Sequence, residues 1–275
     1  MKLLRIAIIA AIAAVSVEAA AQSQTVRAFS HRGGRLENDE NTLSAFQISY
    51  DMGYTGFETD VRMTKDGVLI ITHDNTLDRT TNGSGKVEDT DWADIKKLKT
   101  KGGHKILTLE ELSAFFKGKH IEYVEWELKT KPVESYPQKR LEEYCDKLYE
   151  TVMKNKPEGA EYLFTSSDPR GLLYLRNKHP EVNLLIIFSK PVNDETINTA
   201  LALGIDRIGC QTDGTSRSMV KKAQSKGLHV SLWPTKKIED FVLGCYLGSE
   251  YLCTDIPRET METMRKDFPW IKVLY

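Results

Sequence analysis

From Arg27 to the C-terminus, short β-type runs alternate with helical stretches, and that alternation confines the chain to the α/β class. The expected strands are Arg27–Ser30, Gly56–Val61, Val68–His73, Tyr123–Lys129, Glu161–Thr165, Asn183–Phe188, Arg207–Gln211, His229–Trp233 and Tyr251–Thr254. Helical patterns separate most of them, over Leu43–Met52, Leu109–Phe116, Glu134–Asn155, Pro169–Lys178, Asp194–Leu203, Ser216–Lys226, Lys237–Leu247 and Arg258–Lys266. This is one strand more than a closed eight-stranded barrel needs. Between Gly56–Met63 and Val68–Asp74 stands only Thr64-Lys65-Asp66-Gly67, a turn with no room for a parallel crossover. A hairpin there would return His73 beside Glu58 and Asp60; the other reading makes Val68–His73 a barrel strand in its own right. The expected architecture is a TIM-type (β/α)8 barrel. A small insertion is expected at about residues 80–105, a polar stretch with a short helix near Trp92–Leu98.

The N-terminus stands apart from this pattern. Lys2 and Arg5 precede an apolar run, Ile6 to Val17, and Ala19-Ala20-Ala21 supplies small residues before Gln22. Such a run is about a dozen residues, short of the ~20 that span a bilayer, and reads as a signal peptide cleaved after residue 21. Export to the periplasm or beyond is expected, without stable membrane insertion. Residues 22–275 then fit one barrel domain. The formal net charge of -1 gives no ground for a nucleic-acid partner. The cysteines Cys145, Cys210, Cys245 and Cys253 match no zinc or redox spacing, and Cys210 and Cys253 lie in apolar segments as small buried hydrophobes.

Chemistry-bearing residues cluster at strand ends. The first strand runs into Ser30-His31-Arg32-Gly33-Gly34, the second carries Glu58-Thr59-Asp60, and the third ends Thr72-His73-Asp74. The fourth reads Glu125-Trp126-Glu127-Leu128-Lys129. In a TIM barrel, functional groups collect at the C-terminal ends of the strands. Two residues apart on a strand, Glu58 and Asp60 share a face, where two carboxylates repel unless a cation lies between them. That pair alone is equally consistent with a polar strand edge. Glu127, or Glu125 by the same alternation, would add a third oxygen, a donor set suited to Ca²⁺ or Mg²⁺ rather than zinc. His31 and His73 offer one general acid and one general base. Arg32 and Lys129 are candidate phosphate contacts, and Trp233 a candidate apolar wall.

The ordered motifs resemble the glycerophosphodiester phosphodiesterase family. They are His31-Arg32-Gly33, Glu40-Asn41-Thr42, Gly56 to Val61, Thr64 to Gly67, His73-Asp74, Asp78 to Thr81 and Asn82 to Gly85. Thr108 to Glu111, Glu127-Leu128-Lys129, Trp233 and Thr254 to Pro257 complete the series. The resemblance implies a barrel with a small insertion and a divalent site at Glu58, Asp60 and Glu127. It also implies an acid/base pair at His31 and His73, phosphate contacts at Arg32 and Lys129, and cleavage to glycerol 3-phosphate and an alcohol. A cyclic phosphate intermediate is expected, with His73 as base and His31 as acid. Departures are Asp39 and Leu107 where proline is usual, Ser166-Ser167-Asp168 without an aromatic after serine, and Pro234-Thr235-Lys236 without the usual asparagine. Two other functions remain: a phospholipase-like barrel acting on lipid headgroups, and an inactive module that holds phosphorylated ligands. Products from a lyso-phospholipid would mark the first, and saturable binding without turnover the second.

Overall fold

Alternation within each strand separates two apolar environments, and that separation builds the molecule. The computed structural model describes residues 25–275, so the leader expected over residues 1–21 lies outside the described residues. Eight parallel strands close on themselves: β1 (Thr25–His31), β2 (Gly56–Met63), β4 (Tyr123–Leu128), β5 (Glu161–Ser166), β6 (Asn183–Pro191), β7 (Arg207–Gln211), β8 (His229–Thr235) and β9 (Tyr251–Thr254). β9 pairs with β1 along Arg27–Ser30, and β1 with β2 at Ser30–His31, which completes the barrel. This is the TIM-barrel fold.

The remaining strand run is a hairpin arm. β3 (Leu69–Ile71) runs antiparallel to β2, Val61 facing Ile71 and Met63 facing Leu69, along the edge of β2 beyond its pairing with β1. The four-residue turn is too short for a parallel crossover to β2, and of the two readings the hairpin is the one found. A short β10 (Lys272–Leu274), which the sequence pattern did not reveal, pairs with Thr25–Arg27 on the edge of β1 that β2 leaves free.

Outward residues of the strands meet the helices α1 (Leu43–Asp51), α3 (Leu109–Phe116), α4 (Gln138–Lys154), α5 (Pro169–Lys178), α6 (Asp194–Leu203), α7 (Arg217–Ser225), α8 (Ile238–Leu247) and α9 (Pro257–Asp267). In α4, Leu141, Tyr144, Cys145, Leu148 and Val152 are buried, the 3.6-residue stripe that pins a helix to a sheet. The single helix expected over Glu134–Asn155 is broken. Val133–Ser135 forms one 3₁₀ turn and α4 begins only after Pro137, whose ring excludes a helical hydrogen bond at that position. Thr108 and Glu111 form a reciprocal capping box that starts α3.

The insertion between β3 and α3 carries its own short α2 (Trp92–Ile95) and a small apolar cluster. Leu77, Val87, Ile95 and Ile106 pack on Ile70 of β3. It thereby leans on the hairpin rather than standing as a separate unit.

Phe116 is fully buried where α3 meets the strands, with ring centroids 5.2 Å from Phe57 and 5.9 Å from Trp126. Phe116→Ala should therefore lower unfolding free energy by about 3–5 kcal/mol in urea titration. A loss below about 1 kcal/mol would contradict the packing described.

Candidate active site

The alternation that builds the barrel also aims its polar side chains inward. On β1, His31 follows Phe29 on the inner face; on β4, Glu125 and Glu127 follow Tyr123, with Lys129 just beyond the strand. Register does the rest: Glu58 lies opposite Glu125, and Asp60 opposite Glu127. One cavity at the C-terminal end of the barrel is lined by His31, Arg32, Glu58, His73, Glu127, Lys129 and Trp233, with Asp60 fully buried beside it. All eight sequence-predicted site residues thus belong to a single place. Of Glu125 and Glu127, it is Glu127 whose carboxylate oxygen lies close to those of Glu58 and Asp60. Glu125 lies one layer deeper, its Oε1 accepting the Tyr123 hydroxyl at 2.5 Å.

Oxygens of Glu58, Asp60 and Glu127 lie within 4.8 Å of one another. Among the described residues, both Glu58 oxygens and Oδ1 of Asp60 are buried without a hydrogen-bond partner. Buried carboxylate oxygens left unpaired are costly, and a cation relieves that cost. Burial, and then the neighbouring Asp60, push the Glu58 carboxyl well up. Burial acts in the same direction on Asp60 but is outweighed by Arg32 and Lys129, which hold it well below the usual range. The all-oxygen set fits a hard divalent cation, which Glu58, Asp60 and Glu127 would hold together.

Two cations brace these acids. Arg32 Nε stands 3.0 Å from Asp60 Oδ2, an ion pair without hydrogen-bond alignment, and its Nη1 donates to Glu40 at 3.1 Å. Lys129 Nζ donates to Glu127 at 2.9 Å and lies 3.5 Å from Asp60 Oδ1, an ion pair longer than a normal hydrogen bond. Arg32 has φ +55, a left-handed conformation held where its amide donates to Glu58 O. The next residue must be glycine. At φ +78, a Cβ on Gly33 would sit 2.6 Å from Ala45 Cβ of α1.

Each imidazole has a carboxylate behind it. His31 Nδ1 hydrogen-bonds Asp255 Oδ1, and Arg35 holds the other oxygen of Asp255 at 2.8 Å. His31 Nε2 is left facing Glu58 at 3.5 Å. His73 Nδ1 bonds Asp74 Oδ1 at 2.6 Å; Arg79 bridges Asp74 to Glu40, which returns to Arg32. Burial lowers the affinity of both histidines for a proton, Asp255 opposing it for His31 and Asp60 for His73. Both imidazoles are thereby biased to the neutral form, from which either can take a proton.

Several residues here received no role from sequence reasoning. Asp255 orients His31, Asn41 donates to Asp60 Oδ2 at 2.9 Å, and Glu40 couples Arg32 to Arg79. Buried Arg62 binds Glu88 of the insertion at 2.7 Å and the carbonyl of His73 at 2.8 Å. The signal was present for three of them, since Glu40-Asn41-Thr42 and Thr254 to Pro257 stood among the motifs. Asp39, where proline is usual, accepts from His104 Nδ1 at 2.7 Å and ties the insertion to the loop after β1.

Two buried cations paired with clustered acids, and two braced imidazoles, at the strand ends of a TIM barrel are what an enzyme acting on a phosphorylated small molecule would need. Residues 31–259 match the Glycerophosphoryl diester phosphodiesterase family. Glycerophosphodiester phosphodiesterase 1 of Homo sapiens is 28% identical over 255 residues, covering 82% of this chain and 77% of the human protein. The glycerophosphodiester phosphodiesterase of Bacillus subtilis is 40% identical over 141 residues, 46% of this chain and 45% of its own. The fold matches an Oleispira antarctica phosphodiesterase crystallised with the product sn-glycerol-3-phosphate, with TM-score 0.78, 20% identity, and coverage of 87% of this chain and 97% of that one. The chain belongs to the glycerophosphoryl diester phosphodiesterase family.

Asp255→Asn should lower phosphodiester turnover about 10–100-fold, the usual cost of removing a carboxylate that orients a functional imidazole, while far-ultraviolet circular dichroism stays unchanged. Undiminished turnover would show that His31 needs no such support.

Proposed function

We propose that this enzyme hydrolyses glycerophosphodiesters to glycerol 3-phosphate and an alcohol, with Mg²⁺ or Ca²⁺ held by Glu58, Asp60 and Glu127. The observation that carries the reading is the meeting of two imidazoles, three acids and two cations on one cavity. The sn-glycerol-3-phosphate complex of the Oleispira antarctica protein supports the product assignment. Bound there, the cation would offset negative charge that builds on the phosphate in the transition state.

The side chains divide the remaining work. Arg32 and Lys129 hold the phosphate, Arg32 through its planar fork. His73, neutral and backed by Asp74, takes the proton of the glycerol 2-hydroxyl as that oxygen attacks phosphorus. His31 enters this step protonated on Nε2 and gives that proton to the departing alkoxide. Fully buried Asp255 on its Nδ1 offsets the imidazolium charge against the burial that favours the neutral ring. The product of this step is a cyclic phosphate and the free alcohol. In the second step water opens the ring with the histidine roles exchanged, which returns both to their starting states. Trp233 and Ile187 supply an apolar wall, and Ser167 and Ser189 polar groups, around the substrate. Export through the expected leader would put this reaction outside the cytoplasm. The apolar run Ile6 to Val17 supports that reading.

Following glycerophosphocholine and a lyso-phospholipid by ³¹P NMR tests the proposal. The wild-type enzyme should convert the first to glycerol 3-phosphate and leave the second largely intact. His73→Ala and His31→Ala should each slow turnover by at least about 100-fold, the lower end of a general acid or base contribution. Full activity in His73→Ala, or ligand binding with no product, would overturn it. Chelation should abolish turnover and Mg²⁺ or Ca²⁺ restore it; activity indifferent to chelator would reject the cation site.

A further inference from the structure

Cys253 takes no part in the chemistry above. It lies on the inner face of β9 between Tyr251 and Asp255, packed with Phe29, Tyr123, Leu163 and Leu185, and is 5% exposed. Yet Cys253 Sγ, an imidazole nitrogen of His31 and a carboxylate oxygen of Glu58 all lie within 4.8 Å of one another. We propose that Cys253 Sγ, His31 Nε2 and Glu58 form a second metal site, selective for Zn²⁺, that overlaps the hard-cation site through Glu58 and silences the enzyme when filled.

Four observations converge on it. The donor set is one sulfur, one nitrogen and one oxygen, the mixture that borderline-soft Zn²⁺ takes and that Mg²⁺ and Ca²⁺ avoid. His31 Nε2 and Glu58 Oε2 are 3.5 Å apart. Two ligands on a tetrahedral ion with bonds of about 2.0–2.1 Å stand about 3.4 Å from each other, so this edge already has the required length. The His31 ring is also presented as a ligand is, with Nδ1 on buried Asp255 and Nε2 turned to the site. Finally, both Glu58 oxygens lack a hydrogen-bond donor among the described residues, and the residue is only 4% exposed. The thiol is thus not a lone cysteine but the third corner of a triangle whose carboxylate, shared with the acid cluster, accepts no hydrogen bond among the described residues.

Binding is a substitution without redox change. Zn²⁺ enters from the cavity, the Cys253 thiol gives its proton to solvent, and a sulfur–zinc bond forms, leaving a fourth position for water. The occupied site takes the Nε2 lone pair of His31 and draws Glu58 away from Asp60 and Glu127. Inhibition therefore rests on the functional reading above, whereas binding does not.

The test uses the chelator-treated full-length enzyme, with Zn²⁺ affinity measured by calorimetry and Co²⁺ as a coloured stand-in. Wild-type enzyme with Co²⁺ should show a thiolate-to-metal charge-transfer band in the near ultraviolet. Cys253→Ser and Cys253→Ala, checked for folding by thermal melts, should lose that band and bind Zn²⁺ at least about tenfold more weakly. Relative to its own zinc-free rate in Mg²⁺, each variant should need at least about tenfold more Zn²⁺ for half-inhibition. Should both variants misfold, Zn²⁺ but not Mg²⁺ should slow alkylation of Cys253 in the wild-type protein, read by mass spectrometry. An absent band, unchanged zinc affinity in Cys253→Ser, or equal alkylation with either ion would overturn the site. Tight zinc binding in an enzyme that cleaves no glycerophosphodiester would refute the functional reading and leave the site standing.

Discussion

Like charges crowded into a barrel mouth are the constraint around which the rest of this structure is arranged. Strand register sets Asp60 directly opposite Glu127, and strand alternation puts Glu58 on the same inward face. In a medium less polar than water, such acids repel strongly and lose hydration that nothing apolar can replace. A chain selected only for stability would put leucine or valine there. Keeping the acids obliges the surroundings to supply compensation, and most polar contacts of the site can be read as that compensation.

Arg32 and Lys129 reach the acids from neighbouring strand ends, and Asn41 adds a neutral donor. These groups need anchors of their own. Glu40 braces Arg32, Arg79 braces Glu40, and Asp74 links Arg79 to His73. The insertion therefore has a positional role in the site without lining most of the cavity. Through Arg62–Glu88 and Asp39–His104 it clamps the loops that carry His73 and Arg32. Loops of a barrel are its adaptable part, and here they are made rigid by charge pairing where precision matters.

The apolar part of the cavity lining obeys different physics. Phe29, Leu185, Ile187, Trp233 and Cys253 form it, and below them Tyr123 stacks on Tyr251 at 5.2 Å. This apolar floor excludes water from beneath the acids and strengthens every electrostatic term above it. Glu125 is the exception within that floor. Burial pushes its carboxyl up to about 7, with the Tyr123 hydroxyl as its hydrogen-bond donor.

Local sequence was enough for what depends on period and turn chemistry. Two-residue spacing put Glu58 with Asp60, four turn residues pointed to the β2–β3 hairpin as one of two readings, and apolar stripes located the helices. It was insufficient where the deciding contact is remote or the local signal weak. Pro137 broke a helix that periodicity alone would have continued, and β10 is three residues with a polar start. Glu125 and Glu127 are equivalent by alternation and differ only by depth in a closed barrel. Asp255 reaches His31 across 224 positions, a pairing that exists only because β9 and β1 are neighbours in the closed sheet. Residue order thus determined which groups face inward and near which strand ends. Closure of the barrel decided which of them touch, because hydrogen bonds and ion pairs act over a few ångströms, and only the folded chain brings distant strands that close.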